Sequence, residues 1–140
     1  MGGVNDLVNL DCINEIDLFK DIKTLHSLAH KRGVKTVAMT ILEAYVKEEK
    51  LSYVDSKEFE KLRISINQKI KAMNETEVML VCDTAMLFPY KSLSDTMKNY
   101  LWTNDKVHPT PRGYDQLGRV IFHCIYEKIR SELKVTNNLL

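Results

Sequence analysis

The 140-residue sequence is short of several things, and each shortage excludes something. There is no charge excess: 20 lysines and arginines stand against 19 aspartates and glutamates, and a net charge of +1 supplies no basic field for a phosphate backbone. Nucleic acid is therefore not an expected partner. No apolar run approaches the roughly 18 residues of a membrane span, and Met1 leads into GGVNDLVN without a basic segment followed by an apolar one. A chain without a membrane span, in the cytoplasm, is expected. Cysteine is scarce, and Cys12, Cys82 and Cys124 stand far apart with no C-x-x-C pair, so reduced and mostly packed thiols are expected rather than zinc or redox chemistry. Proline is confined to Pro89, Pro109 and Pro111, and no repeat, low-complexity tract or linker divides the chain. What is present, 44% hydrophobic and 28% charged residues, suits one globular domain with a core.

Hydrophobic periodicity orders the elements. Leu18, Ile22, Leu25 and Ala29 mark one face of a helix from about Ile13 to Arg32, with Gly33 where a C-terminal stop belongs. Val34 to Ile41 is short, β-branched and apolar, as expected of a parallel strand covered on both faces. Leu42 to Ser56 is charged and without clear periodicity, an exposed loop or short irregular helix placed where it could border a pocket. Phe59, Leu62, Ile66, Ile70 and Met73 predict a second long helix, and Val78 to Cys82 a second buried strand ending at Asp83. A short helix around Ser92 to Leu101 precedes TNDKVHPTPRG, where Pro109 and Pro111 exclude regular structure. A last helix from about Tyr114 to Leu133 carries Leu117, Val120, Ile121, Cys124, Ile125 and Ile129 as one broad stripe. Helices alternating with strands argue α/β with a parallel sheet. Yet two strands do not make a stable parallel sheet, and Gly2, Gly3 and Asn5 read as a turn that follows a strand. The sequence thus reads as the second half of a domain. Its first strand presents an apolar edge that invites a second chain to complete the sheet.

Two motifs carry chemistry. Asp105 and His108 stand three residues apart on a loop, close enough for the carboxylate to bond one imidazole nitrogen and leave the other as a base. Asn5, beside Gly3 on a glycine turn, offers a neutral amide donor suited to a developing oxyanion. Together, GGVND near the start and DKVHPTPRGY near the end resemble blocks III and V of the SGNH hydrolases, also called GDSL esterases. The resemblance implies a three-layer αβα sandwich with a five-stranded parallel sheet, of which this chain holds a part without the nucleophile strand. It also implies hydrolysis of small carboxylic or lysophospholipid-like esters without a cofactor. By motif position, His108 resembles the catalytic base, Asp105 the triad acid and Asn5 the oxyanion-hole asparagine, with Gly3 and Asn5 binding substrate. The segment from Thr36 to Leu42 and the Arg63 to Asn67 pairing also look like the lysophospholipase-like branch of the family. The family nucleophile is a serine in a Gly-Asp-Ser block, and Ser27, Ser52, Ser56, Ser65, Ser92, Ser94 and Ser131 all lack that setting. Without it no acyl-enzyme forms, so the chain alone is expected to be inactive. The alternative is a non-catalytic remnant that binds a protein or a lipid-like ligand.

Blander readings stand beside these. Asn5 alone serves equally as a left-handed turn residue and Asp6 as a cap. His26 and His30 have zinc-binding spacing but no third ligand, so they read as solvated helix residues and no metal is assigned. Cys82 and Cys124, on apolar faces, read as packed. Tyr45, Tyr53, Phe88, Tyr90 and Trp102 are available to an acyl pocket, with boundary packing as the default.

Overall fold

Two short strands, β1 (Val37–Met39) and β2 (Leu80–Cys82), pair in parallel, with Val37 opposite Leu80, Ala38 opposite Val81 and Met39 opposite Cys82. Around them the computed structural model describes residues 3–8, 15–44, 56–74 and 76–137. The helices are α1 (Val4–Val8), α2 (Glu15–His30), α3 (Ser56–Lys71), α4 (Thr84–Leu87), α5 (Asp95–Leu101) and α6 (Pro111–Asn137). The α/β class and parallel pairing expected from the sequence are what the chain adopts. Cys12, Tyr45, Ser52, Tyr53 and most of the expected loop from Leu42 to Ser56 lie outside the described residues.

Helix α2 stops at Gly33 for a backbone reason. Gly33 takes φ +75°, its N–H bonds the His30 carbonyl at 2.9 Å, and the Val34 N–H reaches the Ala29 carbonyl at 3.1 Å, the paired closure of a Schellman turn. Val34 is thereby drawn into the cap and exposed, so β1 begins at Val37 rather than at Val34. At the other end the Thr40 N–H makes the last ladder bond, to the Cys82 carbonyl at 3.2 Å, while its hydroxyl donates to Asp83 Oδ1 at 2.9 Å and accepts the Ala85 N–H at 2.9 Å. These bonds tie the end of β1 to the turn after β2, where Asp83 starts the short helix α4. A helix of four residues has no periodicity to read, so nothing in the sequence beyond Asp83 marks it.

The core falls into two groups. Leu7, Leu18, Ala38, Phe59, Ile66, Ile70 and Val78 bring α1, α2 and α3 against the sheet. Leu42, Phe88, Tyr90, Leu101, Trp102 and Leu117 pack the region of α5 and α6 around one indole. The Trp102 ring lies 5.3 Å from Phe88 and 5.4 Å, edge-on, from Tyr90, so these three aromatics serve as packing. The stripe on α6 is only partly covered: Leu117 is buried, Ile121 and Cys124 are half-buried and Ile129 is exposed. Leu25 on α2, expected in the core, is 69% exposed. It borders an apolar groove of about 380 Å³ along β1 that no residue of β2 lines. Among the described residues β1 pairs with β2 alone, and no helix is long and apolar enough to cross a membrane.

The cysteines depart from expectation. The sulfurs of Cys82, at the end of β2, and Cys124, in the middle of α6, are joined as a disulfide with their Cα atoms 5.9 Å apart. Sequence distance hid this, because 42 residues separate two positions that the fold makes neighbours.

Candidate active site

The loop between α5 and α6 is organised by one carboxylate. Asp105 Oδ1 accepts three hydrogen bonds, from the Thr103 hydroxyl at 2.6 Å, the Val107 N–H at 2.9 Å and the His108 N–H at 3.0 Å. Its other oxygen, Oδ2, lies 2.8 Å from His108 Nδ1. The Thr103 hydroxyl foremost, then the His108 amide and ring, hold the Asp105 carboxyl well below the usual carboxylate range. An ionised carboxylate accepts only, so Nδ1 must carry the proton and Nε2 keeps the lone pair. The turn closes with the Thr103 N–H on the His108 carbonyl at 2.8 Å, and Lys106 adopts φ 59° to complete it.

Helix α6 starts directly behind this loop. Thr110 caps it, accepting the Gly113 N–H at 3.1 Å while its hydroxyl donates to the Tyr100 carbonyl at 2.8 Å. Pro111 then occupies the first helical position, where its missing N–H costs nothing. Pro111 therefore opens regular structure rather than excluding it, and the helix begins three residues before Tyr114. A Cβ on Gly113 would fall 2.0 Å from the Leu101 carbonyl oxygen, so only glycine lets α6 approach the end of α5.

The other motif also starts a helix. The Gly3 N–H donates to Asp6 Oδ2 at 2.9 Å and its carbonyl accepts the Leu7 N–H at 3.0 Å, a cap in which Asp6 reaches back over the first turn of α1. Gly3 has φ +106°, and a Cβ there would meet Ile41 Cδ1 at 2.6 Å. Asn5 lies inside α1 with an exposed side chain and is not a left-handed turn residue, whereas Asp6 is the cap. Ile41 is itself fixed from α3. Its N–H donates to Asn67 Oδ1 at 2.7 Å, and its carbonyl accepts from Asn67 Nδ2 at 2.9 Å and Arg63 Nη1 at 3.1 Å. Arg63 is in turn held by Glu60 at 2.7 and 2.8 Å. The Arg63 and Asn67 spacing noticed in the sequence thus clamps the backbone against which Gly3 rests.

The fold brings the two motifs to one place. Gly3, Asn5, His108, Tyr114 and Gly118 are among the residues lining a cleft of about 580 Å³ between α1 and the start of α6. No serine among the described residues lines it. His26 and His30 lie elsewhere and are not simply solvated: both rings are half-buried and bond the Thr36 hydroxyl, through Nδ1 at 2.8 Å and Nε2 at 2.9 Å. Burial and the neighbouring His30 lower the His26 pKa.

No family model and no curated protein matches the sequence. Among solved structures the chain is similar to a GDSL-like lipase from Bacteroides thetaiotaomicron, at 23% identity and a TM-score of 0.63, with 90% of this chain and 60% of that one covered. It is also similar to a "putative acylhydrolase" from Bacteroides fragilis, at 26% identity and a TM-score of 0.67, with 94% of this chain and 60% of that one covered. The chain has the fold of the GDSL-type hydrolases. It spans 60% of the length of both matched structures. Within this GDSL-type fold, Thr103 is the residue that sequence reasoning missed. The signal available was a hydroxyl two positions before an aspartate in a turn, a spacing common to many loops without chemistry.

Proposed function

We propose that the chain carries the acid–base and oxyanion half of a carboxylic-ester hydrolase of the GDSL type, and that residues 1–140 belong to one such domain. The observation that carries the reading is the shared cleft, which both Asn5 and a His108 already oriented by Asp105 line. In the reaction, His108 Nε2 takes the proton of a serine hydroxyl as its oxygen attacks the ester carbonyl carbon. The charge formed on the carbonyl oxygen is met by the Asn5 amide, and the imidazolium by the Asp105 carboxylate. His108 then returns the proton to the departing alkoxide, and a water hydrolyses the acyl-enzyme by the same route. Gly3 holds Asn5 at the start of α1, and the substrate is a small ester or a lysophospholipid-like acyl ester. The serine is supplied from outside the Gly3–Asn137 fold described above, by another segment or a second chain completing the sheet. No step requires a cofactor.

The test is a chimera that joins the unmatched part of the Bacteroides fragilis protein, with its nucleophile block, to this chain. It is expected to hydrolyse p-nitrophenyl butyrate, and His108→Ala is expected to lower kcat about 10⁴-fold. A folded chimera whose activity ignores His108→Ala refutes the assignment. That no serine among the described residues lines the cleft favours a second reading, a non-catalytic binding module for a protein or lipid-like ligand. A folded chimera without activity would support it.

A further inference from the structure

His26 and His30 stand one turn apart on α2, and both rings converge on a single atom beyond the helix, the Thr36 hydroxyl oxygen, at 2.8 and 2.9 Å. All three residues are half-buried, and Thr36 leads directly into β1, where its carbonyl accepts the Met79 N–H at 2.9 Å. The three side chains therefore staple the end of α2, across the Gly33 cap, to the entry of β1. The staple has a fixed proton count. A hydroxyl owns one proton and two lone pairs, and a neutral imidazole has one N–H and one bare nitrogen. With both rings neutral, the hydroxyl donates to one ring and accepts the N–H of the other. A first added proton preserves this, because the charged ring donates to the oxygen while the hydroxyl donates to the ring that is still neutral. A second does not: both rings then donate, the hydroxyl proton loses its acceptor, and two cations on neighbouring helical turns share one oxygen.

Among the described residues no carboxylate is bonded to either ring to absorb that second charge. On α2, Lys23 is paired with Glu77 from the segment before β2, and Asp21 lines the same groove as His26, as does Asp6 of α1, whose carboxylate is bonded to the Gly3 N–H. From α3 the groove receives the apolar Ile70, while Lys69 is paired with Glu15 and Lys71 with Asp83. The charged residues between the end of α2 and Thr36 are Lys31, Arg32 and Lys35, all cations. We propose that His26, Thr36 and His30 form an acid-sensitive latch between α2 and β1, closed while at most one ring is charged and opened when both are. This inference does not depend on the hydrolase reading. Burial and the adjacent His30 already hold His26 below the ordinary histidine value of 6.5, so the closed form resists a charge that the open form accepts. The latch is at full strength above pH 6.5 and weakens as the pH falls below it. His26 lines the apolar groove along β1 with Val37 and Met39, whereas none of the three latch residues lines the cleft that holds His108. Acid therefore loosens the wall of the groove and leaves the Asp105 loop in place.

The full chain is followed by ¹⁵N–¹H NMR between about pH 8 and pH 4.5, a range that spans histidine titration. The His26 and His30 ring signals are expected to titrate in two separated steps. Amide exchange at Met79, corrected for the intrinsic effect of pH, is expected to quicken about tenfold as the second step is passed. Exchange at Thr110, whose N–H is bonded to the Leu101 carbonyl away from the latch, serves as the control and is expected to hold steady. His26→Asn and His30→Gln each put an amide in place of the bonding ring nitrogen and remove one titrating group. Either is expected to keep Met79 protected at neutral pH and to abolish its opening in acid. Thr36→Val removes the shared hydroxyl and is expected to leave Met79 open to the same extent at every pH. A dispersed spectrum at neutral pH shows that each variant is folded. Rings that titrate in one common step, a Met79 amide that quickens no more than Thr110, or an acid opening that survives both histidine replacements overturns the proposal.

Discussion

At the scale of the residue, the site depends on Asp105 being a carboxylate with all its capacity used. Three donors on one oxygen fix the turn, and the other oxygen is left for the imidazole. Thr103→Val removes the shortest of these bonds and keeps the shape. The Asp105 carboxyl is then expected to titrate closer to the usual carboxylate range, as read by carbon-13 NMR of the side chain, while the His108 ring keeps its partner. Because the folded pKa is depressed, the stabilisation from Asp105 is present above about pH 3.9 and is lost only as strong acid protonates the group. The Asp105 and His108 pair was legible in the sequence because three residues of loop cannot separate two side chains far. That His108 and Asn5 line one cleft was legible only through the order of the two motifs, since nothing local brings position 5 towards position 108. His26 and His30 show the reverse: their spacing was plain, but Thr36, the group that absorbs both rings, lay beyond the end of the helix being read.

At the scale of the element, glycines and caps decide where helices begin and how closely they approach. Gly113→Ala would drive a methyl into the Leu101 carbonyl, and since the obstacle is backbone the start of α6 must move. The expected loss is about 3 kcal/mol or more in urea unfolding, against a gain of roughly 0.5–1 kcal/mol for Gly118→Ala inside the same helix, where a Cβ meets nothing within 4 Å. The long helices were readable because their patterns run over many residues, and the two strands as short apolar runs, although only Ala38 and Cys82 in them are fully buried and the other four strand residues are half-buried. The differences fell at element ends, where capping bonds rather than periodicity choose the boundary: Val34 went to a helix cap and Pro111 to a helix start. Helices α1 and α4 were too short to show a face at all.

At the scale of the whole molecule, distant segments are held by a few charged links. Arg63 sits 5% exposed among Glu60, the Ile41 carbonyl and Glu43, while Glu43 also takes the Tyr90 and Lys91 N–H groups at 2.7 and 2.8 Å. The Arg63 hydrogen bond foremost, with help from Lys91, lowers the Glu60 pKa from 4.5 to about 2. Folding is therefore favoured by this group above pH 4.5, and that favour is lost as the pH falls through 2. Glu60→Gln is expected to cost about 2 kcal/mol at neutral pH and to flatten the stability profile in that acid window, as measured by urea midpoints across pH. The disulfide acts at the same scale, and Cys124→Ser is expected to lower stability by about 3 kcal/mol in the same assay. It also changes the topology of the chain. Bonding Cys82 to Cys124 closes a covalent ring, and the Asp105 and His108 turn lies on that ring rather than on an open thread. A single proteolytic cut in that turn would therefore leave one molecule with two new ends. The two pieces would migrate together on a non-reducing gel and part only when a thiol is added, whereas a cut before Cys82 or after Cys124 would release its fragment at once.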